Sequence, residues 1–270
     1  MKSQIEDGHG SMFEKKANSN NPTKENSSFV IDVHNLTKKY GDFVAVKDLT
    51  LQVKEGEIFG FLGHNGAGKT TTINMLTTLL EPTSGSGKVA GHNIQIDPLE
   101  VRKEIGYLPE NVQLYDSMTA YENLEYFAKL SGITKPEKRI LEKLDFLGAR
   151  SYVDKKIGEL SKGMRQRIGI AQAIIHEPKV LFLDEPTSGL DPLGVKQLRD
   201  IILRLNAEKG TTIFMNTHLL QEVTKTCSTI GVLNHGSLIY VDSLSNTMKR
   251  FKNEQSLEEI YLTIENNNEE

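Results

Sequence analysis

The stretch GHNGAGKTT, residues 63–71, decides the fold and gives the first indication of chemistry. Its spacing matches G-x-x-x-x-G-K-[ST], a glycine-rich loop whose backbone N–H groups curl around phosphate oxygens. The segment IFGFL before the loop predicts a strand, and the apolar residues after it predict a helix whose N-terminal end favours anions. These apolar helix positions are Ile73, Leu76 and Leu80. In this context we expect Lys69 to reach the β- and γ-phosphates of a nucleotide, and Thr70 to ligate Mg²⁺.

A second stretch, VLFLDE at 180–185, reads as a strand buried on both faces that ends in two acidic residues. Open α/β sheets bind their ligands at the carboxyl ends of the strands. We therefore expect Asp184 to hold Mg²⁺, and Glu185 to orient and deprotonate an attacking water. Acidic residues are common at the ends of buried strands, so this interpretation depends on the phosphate-binding loop upstream.

The composition is typical of a globular protein, with 37% hydrophobic and 25% charged residues in a chain of 270. A net charge of -4 argues against nucleic-acid binding driven by bulk charge. The single cysteine, Cys227, excludes an intrachain disulfide and fits a reducing compartment. The sequence has no apolar run of membrane-spanning length and no apolar signal-peptide core, so a membrane function would need a second chain.

Pattern changes along the chain indicate its organisation. Residues 1–28 are rich in Ser, Asn, Lys and Glu and are expected to form a disordered tail, in which GHGSM at 8–12 has the composition of an expression-tag remnant. Strands are predicted from Phe29 onward, and a strand is predicted again at 211–216. Helices are predicted over Thr119–Leu130, Pro136–Leu147 and Asp191–Gly210, with two short ones from about Ser243. Such alternation of strands and helices implies an open α/β sheet.

Between the glycine-rich loop at 63–71 and the acidic strand end at 180–185 lies LSKGMRQR, residues 160–167. Ser161 is expected to cap a helix and to present, with the N–H of Gly163, a second anion site. Taken alone, this is an ordinary capped basic helix. Its sequence nevertheless resembles the signature of the ABC ATPases, whose usual form is LSGGQ.

Further segments are similar to that family in the family's own order. SGLD at 188–191 is similar to the D-loop, and NTH at 216–218 is similar to the strand end that carries the switch histidine, here His218. Tyr40, in KKYG, occupies the place of the aromatic residue that stacks on adenine in this family. Each of these is weak alone, and their order and spacing make the resemblance specific.

The resemblance covers about residues 29–242. It implies an α/β fold with a RecA-like P-loop core, an N-terminal antiparallel β subdomain and a helical subdomain near 110–160, followed by a C-terminal helical tail at 243–270. It implies ATP and Mg²⁺ as ligands, with Glu185, His218 and Lys69 as catalytic residues. The metal ligands it implies are Thr70 and Asp184, with Glu110 as a further candidate. The nucleotide-binding residues it implies are Tyr40, Gly63, His64, Asn65, Gly66, Ala67, Gly68, Lys69, Thr70, Thr71, Glu110, Ser161 and Gly163.

Two departures from the family pattern narrow the resemblance. The signature has Lys162 in place of Gly and Met164 in place of Gln, and Glu110 aligns with the glutamine that links the nucleotide site to the transport partner. A carboxylate at that position adds negative charge near the phosphates. Together with SLEEIYL at 256–262, these departures resemble the exporter branch whose permease is a separate type-2 membrane protein.

The resemblance also implies partners and a location. Two ATPase subunits, identical or related, pair head to tail, so that the signature of one closes on the phosphate-binding loop of the other. The chain is expected to act in the cytoplasm, on the inner face of the cell membrane, through an integral-membrane permease and without nucleic acid.

Two other functions remain open at this point. One is a soluble ABC ATPase of translation, DNA repair or cofactor assembly. Against it, translation factors usually carry two cassettes, and repair relatives insert a long coiled coil between the nucleotide motifs. The other is a nucleotide-binding subunit that does not hydrolyse, which the presence of both Glu185 and His218 disfavours.

Overall fold

A computed structural model describes residues 29–252, 254 and 256–266, so the N-terminal tail expected at 1–28 lies outside the described residues. The strands are β1 (Phe29–Tyr40), β2 (Phe43–Lys54), β3 (Ile58–Leu62), β4 (Ser84–Val89), β5 (His92–Asn93), β6 (Ile105–Leu108), β7 (Val180–Asp184), β8 (Thr212–Asn216), β9 (Thr229–Asn234) and β10 (Ser237–Ser243). The α-helices are α1 (Lys69–Leu76), α2 (Pro98–Glu104), α3 (Ala120–Leu130), α4 (Glu137–Phe146), α5 (Lys162–Ala173), α6 (Pro192–Lys209), α7 (Leu220–Thr226), α8 (Leu244–Arg250) and α9 (Leu257–Asn266).

The strands form two sheets. One is antiparallel, in the order β2-β1-β4-β5, and the other has the order β10-β9-β3-β8-β7-β6. In the second sheet all neighbours are parallel except β9 and β10. The expected α/β class with an antiparallel N-terminal sheet is therefore confirmed.

The parallel strands β3, β7 and β8 are buried at every position, as their unbroken apolar runs predict. Alternate residues point to opposite faces, so Phe59, Phe182 and Phe214 pack together on the side of the antiparallel sheet. The Phe59 and Phe214 rings stack at 5.2 Å, and Phe182 lies 5.5 Å from Phe214. Leu181 and Leu183 pack on the other face, within the core that the helices build.

Capping residues set the ends of several helices where the sequence predicts them. Thr119 and Glu122 form the expected capping box at the start of α3, and Asp191 accepts from the Gly194 N–H at the start of α6. The predicted helix after the phosphate-binding loop is shorter than the sequence indicates: α1 ends at Leu76, so the inclusion of Leu80 was wrong. Thr78 adopts a left-handed conformation with φ 61°, which ends the helix.

Of the helices in the described residues, none has both the length and the apolar character needed to span a bilayer.

Gly106 of β6 fixes how closely the sheet approaches helix α5. A Cβ atom at this position would lie 2.2 Å from the Ala173 carbonyl oxygen. We therefore expect Gly106→Ala to lower the melting temperature by about 3–10 °C, since overpacking against backbone costs about 1–3 kcal/mol. The matched control is Gly163→Ala, whose added methyl would meet Leu190 at an ordinary 3.7 Å. Equal melting temperatures for the two variants, measured by calorimetry, would contradict this reading of the β6–α5 contact.

Candidate nucleotide-binding and hydrolysis site

The phosphate-binding loop runs from the end of β3 to the start of α1, as the sequence predicts. Two of its glycines allow a close approach of neighbouring backbone. A Cβ on Gly63 would lie 2.5 Å from the Leu233 carbonyl oxygen, and one on Gly68 would lie 2.5 Å from that of Ala45. Gly68 also has φ 105°, a conformation that a side chain disfavours. The loop is thus held between β9 and β2, and glycines stand at both points of close approach.

Lys69 is buried at the first position of α1 and points back along the loop. Its Nζ donates to the carbonyl oxygens of Gly63 at 2.7 Å and His64 at 3.1 Å. Burial lowers the pKa of Lys69, and the negative charges of Glu185 and Asp184 oppose that shift. An anion placed in the loop would compensate this buried ammonium.

Asp184, the last residue of β7, lies against the loop. One carboxylate oxygen accepts from Asn216 Nδ2 at 2.6 Å and from Thr70 Oγ1 at 3.3 Å. Burial, together with the nearby Asp184 charge, raises the pKa of Tyr107 to about 12. Burial is the main cause that raises the pKa of Asp184, and the Glu110 charge adds to it. The carboxylate is therefore held mainly by neutral donors.

Glu185 follows Asp184 in a left-handed backbone conformation with φ 47°, which is uncommon for a residue with a side chain. Its N–H donates to Asn216 Oδ1 at 2.6 Å, so one amide side chain contacts both acidic residues. The Glu185 carboxylate lies 2.8 Å from His218 Nδ1. Only 12% of the Glu185 side chain is exposed, against 57% for His218, so His218 lies on the solvent side of the carboxylate.

One open cavity of about 330 Å³ brings most of the predicted site residues together. Those that line it are Tyr40, Asn65, Gly66, Gly68, Lys69, Thr70, Thr71, Glu110 and Glu185, joined by Phe43, Ala45 and Asn216. Tyr40 is 51% exposed and Phe43 64% exposed, at the two ends of the turn between β1 and β2. Two exposed aromatic rings and a buried cation on one cavity suit a molecule with a flat apolar part and an anionic tail.

Glu110 lines this cavity, and its charge acts on Asp184. Its carboxylate accepts from the Ser188 hydroxyl at 3.4 Å. The residue thus touches the SGLD segment and faces the acidic end of β7 at the same time.

Ser161 and Gly163 do not line that cavity. Ser161 caps α5 by accepting from the Met164 N–H at 3.4 Å, as expected. Both residues line a separate cavity of about 380 Å³, together with Gly189 and Leu190 of the SGLD segment. Within one chain, the signature and the phosphate-binding loop therefore belong to different surfaces.

The donor set fits Mg²⁺ bound together with a nucleotide. Mg²⁺ is usually held by one or two carboxylates plus phosphate oxygens, and it keeps several waters. Thr70 Oγ1 and Asp184 Oδ1 are hard oxygen donors 3.3 Å apart beside the phosphate-binding loop. In the described part of the chain, no group of three or more His, Cys, Asp and Glu side chains forms a metal cluster of its own.

Several side chains at this site were missed from the sequence. Asn216 stands in the NTH segment and was passed over in favour of the histidine, although its register opposite Asp184 makes it the bridge between β7 and β8. Tyr107 and Phe43 have no motif that marks them. Gln166 of α5 donates to the Pro186 carbonyl oxygen at 2.9 Å, which ties the signature helix to the segment after Glu185.

The raised pKa of Asp184 predicts that its negative charge destabilises the folded protein, by an amount that depends on pH. Folding favours the protonated form of Asp184, because the pKa of this carboxyl is higher in the folded than in the unfolded protein. Protonated Asp184 therefore contributes fully to the free energy of unfolding below the unfolded pKa of about 3.9. That contribution is lost as the pH rises through the folded pKa. Asp184→Asn keeps the acceptor oxygen and removes the charge. We expect this variant, free of nucleotide and metal, to melt at a higher temperature than the wild type at pH 7, with the difference shrinking toward pH 4.

The control for this measurement is Asp200→Asn, an exposed carboxylate on α6, which should show no such difference. A melting temperature for Asp184→Asn at or below that of the wild type at pH 7 would contradict the assignment of a desolvated charge at the end of β7.

Comparison with known proteins agrees with this geometry. The sequence pattern of the ABC transporter family matches residues 46–188, more than half of the chain. The bacitracin transport ATP-binding protein BcrA of Bacillus licheniformis is 42% identical over 83% of this chain and 72% of its own length. The linearmycin resistance ATP-binding protein LnrL of Bacillus subtilis is 36% identical over 82% of this chain and 71% of its own.

A solved structure extends the likeness to three dimensions. The ATP-binding cassette MJ0796, in a dimeric post-hydrolysis state bound to ADP and Pi, superposes with a TM-score of 0.73 at 28% identity. The match covers 79% of this chain and 98% of that one. The chain therefore belongs to the ABC transporter family, as a subunit that binds and hydrolyses ATP.

Proposed function

We propose that this chain powers an exporter, by hydrolysing ATP in a site that it completes with a second ATPase subunit, and that it acts on a separate membrane permease. The observation that carries the proposal is the convergence of Lys69 and Glu185 at one cavity, with Asp184 bonded to Thr70 and Asn216 in its lining. His218 contacts Glu185 at 2.8 Å. A buried cation, a carboxylate beside a hydroxyl, and a second carboxylate with a histidine partner are the groups that phosphoryl transfer to water needs.

Nucleotide binding follows from the shape of the cavity. Tyr40 and Phe43 offer exposed rings for the adenine. The loop amides and the N-terminal end of α1 receive the phosphates. Lys69 Nζ, which here donates to the Gly63 and His64 carbonyl oxygens, turns to the β- and γ-phosphates and gains charged acceptors in place of neutral ones.

Thr70 and Asp184 would hold Mg²⁺. When bound, the ion neutralises charge that develops on the β- and γ-phosphate oxygens. The Asn216 Nδ2 donor keeps the Asp184 carboxylate turned toward this position. Glu110 adds a second negative charge nearby, which we propose strengthens the attraction for a divalent cation.

Hydrolysis requires a water in line with the γ-phosphorus. Glu185 orients this water and accepts its proton as the new P–O bond forms and the bond to ADP breaks. Asn216 holds the Glu185 backbone, and His218 Nδ1 holds its carboxylate, so the base is fixed before the substrate arrives. His218 is exposed enough to reach the γ-phosphate side of the nucleotide as well.

A second subunit supplies what one chain lacks. Ser161 and Gly163 stand at the N-terminal end of α5 and outside the nucleotide cavity of their own chain. We propose that they bind the γ-phosphate held by the other subunit, as in the head-to-tail pairing of the family. The dimeric state of MJ0796 bound to ADP and Pi supports this arrangement.

The permease docks, in this proposal, beside the segment that follows Glu110. That segment leads from the nucleotide cavity to Tyr115, which is 48% exposed and packs edge-on against Tyr126 at 5.4 Å. Tyr126 and Leu130 of α3 are 41% and 67% exposed. An exposed aromatic patch is typical of protein interfaces, and a change at Glu110 on hydrolysis would reach it directly.

Transport outward is supported by the relatives. LnrL is named for linearmycin resistance and BcrA for bacitracin transport. By the same comparison, an ABC ATPase of translation, repair or cofactor assembly is not favoured. We propose that the chain lies at the inner face of the cell membrane through its permease.

Replacing the base tests the proposed chemistry. Glu185→Gln keeps the shape of the side chain but removes the proton acceptor, so turnover should fall by about 10²–10⁴ while ATP still binds. Phosphate release and equilibrium ATP binding measure the two separately. The matched control is Glu208→Gln on α6, which removes only an exposed ion pair with Arg204. Turnover of Glu185→Gln within threefold of the wild type would remove Glu185 from this role.

A further inference from the structure

A shielded ion pair joins helix α6 to helix α7. Arg199 Nη1 lies 2.9 Å from the Glu222 carboxylate, and only 19% and 13% of the two side chains are exposed. In the pair Arg204–Glu208 of the same helix α6, the side chains are 50% and 51% exposed. Because water screens it less, the Arg199–Glu222 pair constrains its two helices more strongly than a surface pair does.

Each of the two helices follows a segment of the proposed site. Helix α6 begins after the SGLD segment, with Asp191 as its cap, and α7 begins two positions after His218. Residues of both helices line one cavity of about 550 Å³, together with Leu190 of the SGLD segment. Arg199, Glu222 and His218 are all part of this lining. The ion pair therefore faces the same space as the switch histidine.

Different interactions hold the two ends of α7. At the C-terminal end, Cys227 packs on β3, where a Cβ atom on Gly60 would lie 2.9 Å from the Cys227 Sγ. At the N-terminal end, the side chain of Leu219 is apolar and cannot cap the helix. The Glu222 N–H donates to the Leu219 carbonyl oxygen at 2.9 Å, and Leu220 packs against the helical core. The Glu222 carboxylate adds the tie between this first turn and α6.

The direction of the His218 ring depends on this first turn. Thr217, directly after β8, is fully buried, and its hydroxyl accepts from the Leu219 N–H at 3.0 Å. His218 stands between these two residues with 57% of its side chain exposed, and its ring lies 2.8 Å from the Glu185 carboxylate. An exposed side chain is aimed by the backbone that carries it. A shift of the first turn of α7 would therefore move the ring relative to Glu185.

Other charged groups near the pair are closer to water. Lys225 Nζ lies 3.5 Å from the second Glu222 oxygen, but the Lys225 side chain is 53% exposed, so this attraction is screened. Lys196 of α6 and Glu258 of α9 line the same cavity. Arg199 is thus the shielded partner of the Glu222 carboxylate.

We propose that Arg199 and Glu222 are positioning residues for ATP hydrolysis: their ion pair fixes the first turn of α7 on α6 and so aims the His218 ring. The inference rests on the proposed role of His218 and goes beyond it, because it assigns a function to two residues outside the motifs described above. A shielded ion pair often adds little stability compared with apolar residues of similar volume, but it fixes a geometry. Neither residue contacts the nucleotide; both act through His218.

The test is charge reversal in the full-length protein, with Arg199→Glu and Glu222→Arg made separately and together. Each single variant places like charges at the α6–α7 contact, so the turnover number at saturating ATP should fall about 10- to 100-fold. The dissociation constant for ATP should stay within about twofold of the wild type, because neither residue lines the nucleotide cavity. The double variant restores an ion pair and should recover turnover to within about threefold of the wild type.

A second readout separates positioning from a loss of stability. All assays are run where circular dichroism shows the variant to be folded, so that a lower melting temperature alone leaves turnover unchanged. In the nucleotide-free protein, the NMR resonances of the His218 ring should shift in both single variants and return toward their wild-type positions in the double variant. His218→Ala identifies these resonances by their loss.

The matched control is the exposed pair on the same helix. Arg204→Glu and Glu208→Arg, made separately and together, reverse the same charges at a distance from α7. Turnover and the His218 resonances should stay unchanged in all three variants, because a surface pair contributes little to the position of its helix.

The outcomes distinguish this inference from the proposed function. The positioning role is wrong if the folded single variants turn over within about threefold of the wild type, or if the double variant does not recover. It is also wrong if turnover falls while the His218 resonances stay in place. If His218→Ala itself turns over ATP like the wild type, the proposed role of His218 is wrong, whatever the ion pair does.

Discussion

The amide of Asn216 is the contact on which the site depends. It donates to Asp184 and accepts from the Glu185 N–H, each at 2.6 Å. One side chain therefore positions both the proposed Mg²⁺ ligand and the proposed general base. It can do so because β7 and β8 are parallel neighbours in a register that sets Asp184 opposite Asn216. The apolar packing of the sheet, with Phe182 and Phe214 on one face, maintains that register. The positions of the Asp184 and Glu185 carboxylates therefore depend on the packing of the strands that carry them.

Around this contact the protein holds charges that are costly without a ligand. Lys69 is buried with a lowered pKa, and Asp184 is buried with a raised one. A nucleotide phosphate and a divalent cation compensate these two charges, and this compensation contributes to the binding energy. The backbone of Glu185 adds strain of the same kind, since its φ of 47° persists only because Asn216 and His218 hold the residue.

The sequence predicts those parts of the site that are local in the chain. The loop at 63–71, the acidic end of β7 and the caps of α3 and α6 each depend on a few adjacent residues, and each was identified. Asn216 was not, because its partners Asp184 and Glu185 lie far away in sequence and only the order of the strands in the sheet brings them together. The early end of α1 at Leu76 escaped prediction for a different reason: Thr78 adopts a left-handed conformation that its residue type does not favour.

The separation of Ser161 from the nucleotide cavity makes the composite site the central claim of this account. The most direct measurement is the mass of the Glu185→Gln protein by light scattering during size exclusion. The account predicts a monomer without nucleotide and a dimer with ATP, in which the signature of each subunit closes on the γ-phosphate of the other. In the Glu185→Gln, Ser161→Arg double variant, the added side chain should break that dimer while each monomer still binds ATP. An ATP-bound dimer that persists in the double variant would place the signature outside the interface and contradict the account.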